Sequence, residues 1–213
     1  SMGIYVFNYN KLVELLKTDN SWVDFGREII PAAIEKYTVQ AHLFKDYWED
    51  IGTIRAFYEA NLDLAAPLPK FNFFDASAPI YTRSRYLPPS KLIGCDIDNS
   101  MVSEGCILNG VRIRKSIIGL RSRIDSGANI EESIIMGSDI FESISEIRSN
   151  IDGNKPNIGI GENTIISRSI IDKNVRIGSN VRILNEAGLQ DHDGGNYFIR
   201  DGIIVIPKNA VVT

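Results

Sequence analysis

Aliphatic residues recur every six positions in the second part of the chain, and this spacing restricts the fold more than any other feature. The clearest series has four members, separated by turn-forming Asn and Gly residues: Ile165, Ile171, Ile177 and Ile183. Neither the period of an α-helix nor the two-residue alternation of a strand explains it. In a hexapeptide repeat, each unit supplies a short strand and a turn, and three units close one triangular coil. We therefore predict a left-handed parallel β-helix in which these four side chains stack one above another.

Shorter series precede this one and show where the repeat is interrupted. They are Met101, Ile107 and Ile113, and then Ile118, Ile124 and Ile130. The pattern disappears in a Ser-, Glu- and Asn-rich stretch, where we predict an inserted loop or short helix near residues 138–157. An antiparallel β-sandwich is the alternative, because irregular six-residue spacing can arise by chance in an isoleucine-rich sequence.

The composition changes near position 92. Sixteen of the nineteen aromatic residues precede it, whereas twenty-six of the thirty-three isoleucines follow it. Five of the eight prolines lie between 67 and 91, which predicts an extended linker. We therefore predict three parts: an α/β segment at 1–66, the linker at 67–91 and the β-helix at 92–213.

The α/β segment alternates predicted strands and helices. We predict a buried strand at 3–7, a helix capped by Asn10, a helix after Asp24, an extended run at 39–47 and a helix from Ile51. So few strands do not complete a doubly wound, Rossmann-like sheet. We therefore expect the segment to be the end of a larger domain, and the chain to be a fragment.

Charge and composition exclude several functions. The net charge is −4 and the pI is near 5.3, which argues against nucleic acid as a partner. No apolar run approaches the ~20 residues of a membrane-spanning helix, so we expect no membrane insertion. Only Cys95 and Cys106 are present, which favours a reducing compartment.

A β-helix behind an α/β domain points to two enzyme groups, acyltransferases and sugar nucleotidyltransferases. The acyltransferases use a β-helix histidine as general base. The only histidine in the later part is His192, in a polar stretch that we predict to be a solvated surface loop. We predict that His42, in the first part, is structural. The histidines therefore favour a nucleotidyltransferase.

Several strings in order along the chain resemble glucose-1-phosphate adenylyltransferases, the ADP-glucose pyrophosphorylases, of cyanobacteria and plants. They are residues 1–7 (SMGIYVF), 24–26, 29–31, 47–54 (YWEDIGTI), 86–91 (YLPPSK), 119–123, 159–161, 170–174 (IIDKN) and 202–210. The resemblance covers nearly the whole chain. It implies an α/β remnant of a Rossmann-like nucleotidyltransferase domain followed by the left-handed β-helix.

The resemblance implies a Mg²⁺-dependent reaction in which ATP and glucose 1-phosphate give ADP-glucose and pyrophosphate, for glycogen or starch synthesis. It assigns Asp50 to the metal and to catalysis, and Ser1 to the sugar. From local sequence alone, Asp50 is equally well a helix N-cap, and a serine left by tag removal looks the same as Ser1. The nucleotide loop and the other catalytic residues would lie upstream, so we expect this polypeptide to be inactive alone.

The resemblance also implies regulation by 3-phosphoglycerate as activator and phosphate as inhibitor. It assigns the effector to Lys173 and Lys208, with Arg85 of the linker as a further donor. We add Arg83, which stands where the family varies, as a second linker donor. Without the resemblance, both lysines are ordinary solvated side chains.

Two alternatives stay open, and the resemblance leaves the assembly and compartment unspecified. One alternative is a pyrophosphorylase for another nucleotide sugar, such as GDP-mannose, and the other is a noncatalytic regulatory subunit of the same enzyme. We expect a homo- or heterotetramer, located in the bacterial cytoplasm or the plastid stroma.

Overall fold

The computed structural model describes residues 2–213 and shows two compact units, which divide between Asp46 and Tyr47. The first unit contains helix α1 (Tyr9–Leu16), a π-helical turn (Phe25–Ile29) and helix α2 (Ile30–Lys36). Its small core is formed by Leu15, Ile29 and Ala33. The predicted helix after Asp24 is confirmed, because the Asp24 carboxylate caps the turn by accepting from the backbone N–H of Arg27 at 2.7 Å.

Two predictions for the first unit are wrong. Asn8, not Asn10, caps α1, since the Asn8 side chain accepts from the backbone N–H groups of Asn10 and Lys11. The predicted strand at 3–7 has no regular secondary structure, and Ile4 and Val6 are 75% and 98% exposed. For the run at 39–47 we predict only extended chain, and it contains neither helix nor strand. Apolar residues form a strand only where a neighbouring strand supplies hydrogen bonds, and none of the sheets formed by the described residues includes residues 3–7.

The second unit is a three-walled β-helix. Wall 1 contains β1 (Lys91–Ile93), β4 (Ile107–Asn109), β7 (Arg123–Ile124), β10 (Gly159–Ile160), β13 (Arg176–Ile177) and β18 (Val211–Val212). Wall 2 contains β2 (Asp96–Asp98), β5 (Arg112–Arg114), β8 (Asn129–Glu131), β11 (Ile165–Ser167) and β14 (Arg182–Ile183). Wall 3 contains β3 (Met101–Val102), β6 (Ile117–Ile118), β9 (Ile134–Ile135), β12 (Ser169–Ile171) and β17 (Ile203–Ile206). Neighbouring strands within these walls are parallel, which confirms the predicted fold class.

The prediction that Ile165, Ile171, Ile177 and Ile183 stack on one another is wrong in two respects. First, six residues lead from one wall to the next, so these four lie on all three walls. Where no excursion intervenes, stacked partners are sixteen or seventeen positions apart, as Ile97, Ile113 and Ile130 show. Second, the core position of β11 is Ile166, which is paired with Ile183, whereas Ile165 is only half-buried.

The earlier series are correct except at their start. Ile113, Ile118, Ile124 and Ile130 are all buried, as predicted. Ile107, however, is 41% exposed, and its neighbour Leu108 fills the core position. Adjacent residues of a strand point to opposite faces, so a shift of one residue moves a side chain from the core to the surface.

Two excursions leave the coils. The first excursion lies in the predicted insertion and holds helix α4 (Ile144–Asp152). This helix begins with a capping box between Ser143 and Glu146. The second excursion, at 184–202, holds β15 (His192–Asp193) and β16 (Phe198–Arg200), which pair antiparallel and extend wall 3. His192 is exposed, but it lies in a short strand rather than in the predicted loop.

Helix α3 (Ile54–Asp63) packs on the outer face of wall 3. Tyr58 is buried against the outward-facing Ile134, Ile170 and Ile203. The predicted helix from Ile51 is therefore confirmed, with its first residue at Ile54. Although α3 belongs to the segment that we assigned to the first part, its contacts are with the β-helix. Residues 64–90 form turns and extended chain, and the domain limits at 66 and 92 stay predictions.

Four serines form a ladder at the corner between walls 2 and 3. The buried Ser133 hydroxyl accepts from the backbone N–H of Ser169 at 3.2 Å and donates to the Glu131 carbonyl at 2.7 Å. Ser116 and Ser100 repeat this arrangement in the preceding coils. Each hydroxyl thus joins two coils where the strands turn.

In the part of the chain that the structure describes, no helix is long and apolar enough to cross a lipid bilayer.

Candidate functional site

Asp50 lies in an exposed, extended segment ahead of α3. Its Oδ1 atom accepts a hydrogen bond from the backbone N–H of Gly52 at 3.1 Å. The helix cap is Thr53, whose hydroxyl accepts from the N–H of Ala56 at 3.1 Å, so the alternative that Asp50 caps the helix is wrong. The Asp50 carboxylate is therefore oriented by the backbone and stays open to solvent.

Asp50 fits a Mg²⁺ ion as one contributor to a shared site. Mg²⁺ is commonly held by one or two carboxylates, with water and substrate phosphates completing the octahedron. Among residues 2–213, no group of three acidic, His or Cys side chains forms a complete cation site. A metal at Asp50 would thus take its other ligands from outside residues 2–213. The sugar-binding residue that we predicted, Ser1, lies outside the described residues.

Lys173 and Lys208 occupy the corner between walls 3 and 1, one coil apart. Ile171 of β12 pairs with Ile206 of β17, so the two lysines follow their strands at equivalent positions. In each case the next residue, Asn174 or Asn209, has a positive φ, of 60° and 63°. Asparagine tolerates this left-handed conformation better than most residues, and the turn aims the lysine outward.

Both lysines bind one carboxylate, which the sequence analysis missed. The Lys173 Nζ atom lies 3.0 Å from Oδ1 of Asp139, and the Lys208 Nζ atom lies 2.8 Å from Oδ2. Asn174 also donates its side-chain N–H to Oδ2 at 3.1 Å. Asp139 begins the first excursion, where the repeat stops, and no periodicity marks it. We define Lys173, Lys208, Asn174 and Asp139 as the lysine corner.

The lysine corner contains two ammonium groups and one carboxylate. Hydrogen bonds from Lys208, Lys173 and Asn174 hold the pKa of the Asp139 carboxyl far below its usual range. The same carboxylate raises the pKa of Lys208, and Asp172 adds a smaller contribution in the same direction. The Lys208 ammonium group therefore remains charged through the neutral range.

The linker arginines stand apart from these contacts. Arg83 and Arg85 lie in an exposed, extended part of the chain, and neither makes an ion pair or hydrogen bond with a described residue. The structure thus brings Lys173 and Lys208 together, but it does not join the two arginines to them.

A cavity of about 750 Å³ lies between α3 and the corner of walls 2 and 3. The sequence analysis did not predict it, because its lining comes from distant turns and from α3. The lining includes Arg55, Tyr58, Lys70, Lys115, Glu132 and Arg168. Several of these side chains are already paired: Lys115 with Glu132 at 3.4 Å, and Arg55 with Asp201 at 3.3 Å.

Two family models match the chain. One, described as the GLGC left-handed parallel beta-helix domain, matches residues 85–213. The chain belongs to this family. Residues 1–66 of the same chain match a second model, described as Nucleotidyl transferase. The two matches confirm an ADP-glucose pyrophosphorylase-like nucleotidyltransferase, as the resemblance implied.

The predicted site residues are distributed between the two matched segments. Asp50 and Ser1 fall within the nucleotidyl transferase match, whereas Lys173, Lys208 and Arg85 fall within the β-helix match. Arg83 lies between the two matches. The roles of these residues stay predictions.

Proposed function

We propose that the protein is a glucose-1-phosphate adenylyltransferase of the type found in cyanobacteria and plants, which makes ADP-glucose and pyrophosphate from ATP and glucose 1-phosphate. The observation that carries this proposal is the order of the two matches, a nucleotidyl transferase segment followed by a GLGC β-helix in one chain. Many sugar pyrophosphorylases share the first part. The second part is the reason that we propose ADP-glucose as the product.

Asp50 acts in this proposal as a ligand of Mg²⁺. The ion supplies charge neutralisation at the reacting phosphates and holds them in line. Asp50 has one carboxylate oxygen held by the Gly52 N–H and the other directed to solvent, which suits a ligand completed by substrate phosphates. Catalysis also needs a nucleotide-binding loop and a sugar-phosphate lysine, which the resemblance places ahead of Ser1.

The lysine corner acts as the effector site for 3-phosphoglycerate and phosphate. Two ammonium groups one coil apart already bind the two oxygens of one carboxylate, so their spacing suits an oxygen anion. Arg85 and Arg83 approach only with a bound effector in this proposal. The β-helix also contributes to a homo- or heterotetramer, which mass measurement in solution tests.

The full-length protein tests the substrates and the metal together. Nucleotide-sugar formation is measured with ATP and glucose 1-phosphate, and then with GTP and mannose 1-phosphate, at a series of Mg²⁺ concentrations. We expect ADP-glucose as the main product and a loss of turnover of about a hundredfold or more in Asp50→Asn. Asp46→Asn makes the same chemical change at an exposed position four residues earlier and should keep the normal rate. A preference for GTP, or normal turnover in Asp50→Asn, would contradict the proposal.

A noncatalytic regulatory subunit is the second candidate, and one observation favours it. The lysine corner, which is the proposed effector site, is formed entirely by residues within the β-helix match. If the full-length protein lacks turnover but changes the 3-phosphoglycerate response of a catalytic partner subunit, this second function is correct. Whether the protein is catalytic or regulatory, Lys208→Glu should remove the response to 3-phosphoglycerate, because the reversed charge repels the effector.

A further inference from the structure

Asp139 occupies the place that an anionic ligand of the lysine corner would take. Its two oxygens lie 3.0 and 2.8 Å from the ammonium nitrogens of Lys173 and Lys208, which are normal lengths for charge-assisted hydrogen bonds. With the Asn174 amide at 3.1 Å, the carboxylate receives three side-chain donors. A carboxylate or phosphate that approaches from solvent finds these donors already in use.

The Asp139 side chain can leave without disturbing the coils. Its backbone N–H is held separately, by the side-chain oxygen of Asn174 at 2.8 Å. The side chain is partly exposed, so rotation about its own bonds carries the carboxylate into water rather than into a buried space. The donors, in contrast, are fixed by the stacked turns that follow β12 and β17.

We propose that Asp139 is an internal competitor at the lysine corner, which a ligand must displace and which thereby selects phosphates and phosphomonoesters over monocarboxylates. This inference rests on the proposed anion-binding function of the same corner and adds the residue that sets its affinity and specificity.

The specificity follows from charge and effective concentration. A tethered group competes at an effective concentration on the order of millimolar or above, so a dissolved monocarboxylate at lower concentration gains nothing by replacing it. A phosphomonoester carries about −1.5 to −2 charges at neutral pH and three acceptor oxygens. It can therefore bind both ammonium groups and the Asn174 amide more strongly than the single charge of Asp139 does.

The affinity for phosphate depends on how often the Asp139 carboxylate has left the two lysines, which we call the open state of the lysine corner. A ligand that binds only the open state has its apparent affinity reduced by the fraction of molecules in that state. If Asp139 occupies the corner in about nine molecules of ten, removing its charge should raise the affinity for phosphate about tenfold.

Calorimetric titration of the full-length protein tests the inference, with inorganic phosphate and acetate as probes at constant ionic strength. Because a substrate site also binds phosphate, binding at the corner is defined as the part lost in Lys208→Gln. We expect Asp139→Asn to bind phosphate about tenfold more tightly and to acquire measurable acetate binding. Glu186→Gln removes the same charge from the exposed pair with Arg182 and should behave as the unchanged protein.

The outcomes separate this inference from the proposed function. If Lys208→Gln removes a phosphate-binding component while Asp139→Asn binds as before, the corner is an anion site and the competitor role of Asp139 is wrong. If Lys208→Gln has no effect on phosphate binding, the anion site itself is wrong. Asp139→Ser is a second variant, and circular dichroism of both variants checks that they fold. We expect both variants to bind phosphate more tightly and to keep unchanged spectra. If neither variant binds phosphate more tightly, the inference is overturned.

Discussion

Tyr58 of α3 donates its phenolic hydrogen to the backbone carbonyl oxygen of Glu132, at 2.5 Å, and so joins the helix to a corner of the β-helix. The ring is 6% exposed and packs on Ile134, Ile170 and Ile203. Burial raises the pKa of Tyr58 to about 12, and the Glu132 carboxylate acts in the same direction.

This pKa predicts how alkaline pH affects the attachment of α3. In the unfolded chain a tyrosine ionises near pH 10, so the folded value is the higher one. The contribution of Tyr58 to stability is therefore complete below about pH 10 and is lost as pH rises towards 12. Ultraviolet titration of phenolate should show a component near pH 12, which Tyr58→Phe lacks. If the two proteins titrate identically, the burial of Tyr58 is not as described.

The one-residue shift in β11 predicts different costs for adjacent alanine substitutions. Ile166→Ala removes a buried side chain and should cost about 2–5 kcal/mol in the free energy of unfolding. Ile165→Ala, at the half-buried neighbour, should cost clearly less. Chemical denaturation of both variants measures the difference. Equal or reversed costs would support the register that we first predicted from the six-residue series.

The serine ladder predicts a buried hydrogen-bonding defect. Ser133→Ala leaves the backbone N–H of buried Ser169 without its acceptor, which should cost about 1–3 kcal/mol. Ser149→Ala, on the exposed surface of α4, should stay within about 0.5 kcal/mol of the unchanged protein. Denaturation midpoints compare the two variants, and an equal effect would show that the ladder adds nothing.

The first excursion is attached by a nearly buried ion pair. Glu142 lies 2.7 Å from Arg176 of β13, with 7% and 16% of the two side chains exposed, and it accepts from Asn150 and from the Ile158 N–H at 2.8 Å. Glu142→Ala leaves Arg176 without its partner carboxylate and should destabilise the attachment by about 3 kcal/mol.

Hydrogen exchange measures this attachment directly. A loss of about 3 kcal/mol corresponds to roughly hundredfold faster exchange in residues 142–158. Glu186→Ala breaks an exposed pair and should leave the same peptides unchanged. Slow exchange that persists in Glu142→Ala would show that α4 is held by other contacts.

The sequence predicted the β-helix because its repeat is local: each coil contacts its neighbours, and buried isoleucines such as Ile124 and Ile130 recur in order. It did not predict which of two adjacent isoleucines points inward, since Ile165 and Ile166 are equally suited to the core. It placed a strand at 3–7 from composition alone, and a strand depends on hydrogen bonds from a partner.

The sequence also predicted Lys173 and Lys208, but only through the resemblance, and it missed Asp139. Asp139 lies 34 positions before Lys173 and 69 positions before Lys208 in the sequence, although it contacts both lysines. Such a pair is visible only when the coil register and the lengths of both excursions are known. The cavity beside α3 was missed for the same reason.

The two excursions bear on how such a corner can be adjusted. Ile118 and Ile135 are paired across 17 residues, but Ile135 and Ile171 across 36, and Ile171 and Ile206 across 35. The strands stay paired in register because the additional residues leave the β-helix after one strand and rejoin it before the next strand. Asp139 begins one departure and Lys208 follows the other return. A change in the length of either excursion would therefore alter the approach of Asp139 to Lys208 and leave the stacked isoleucines in place.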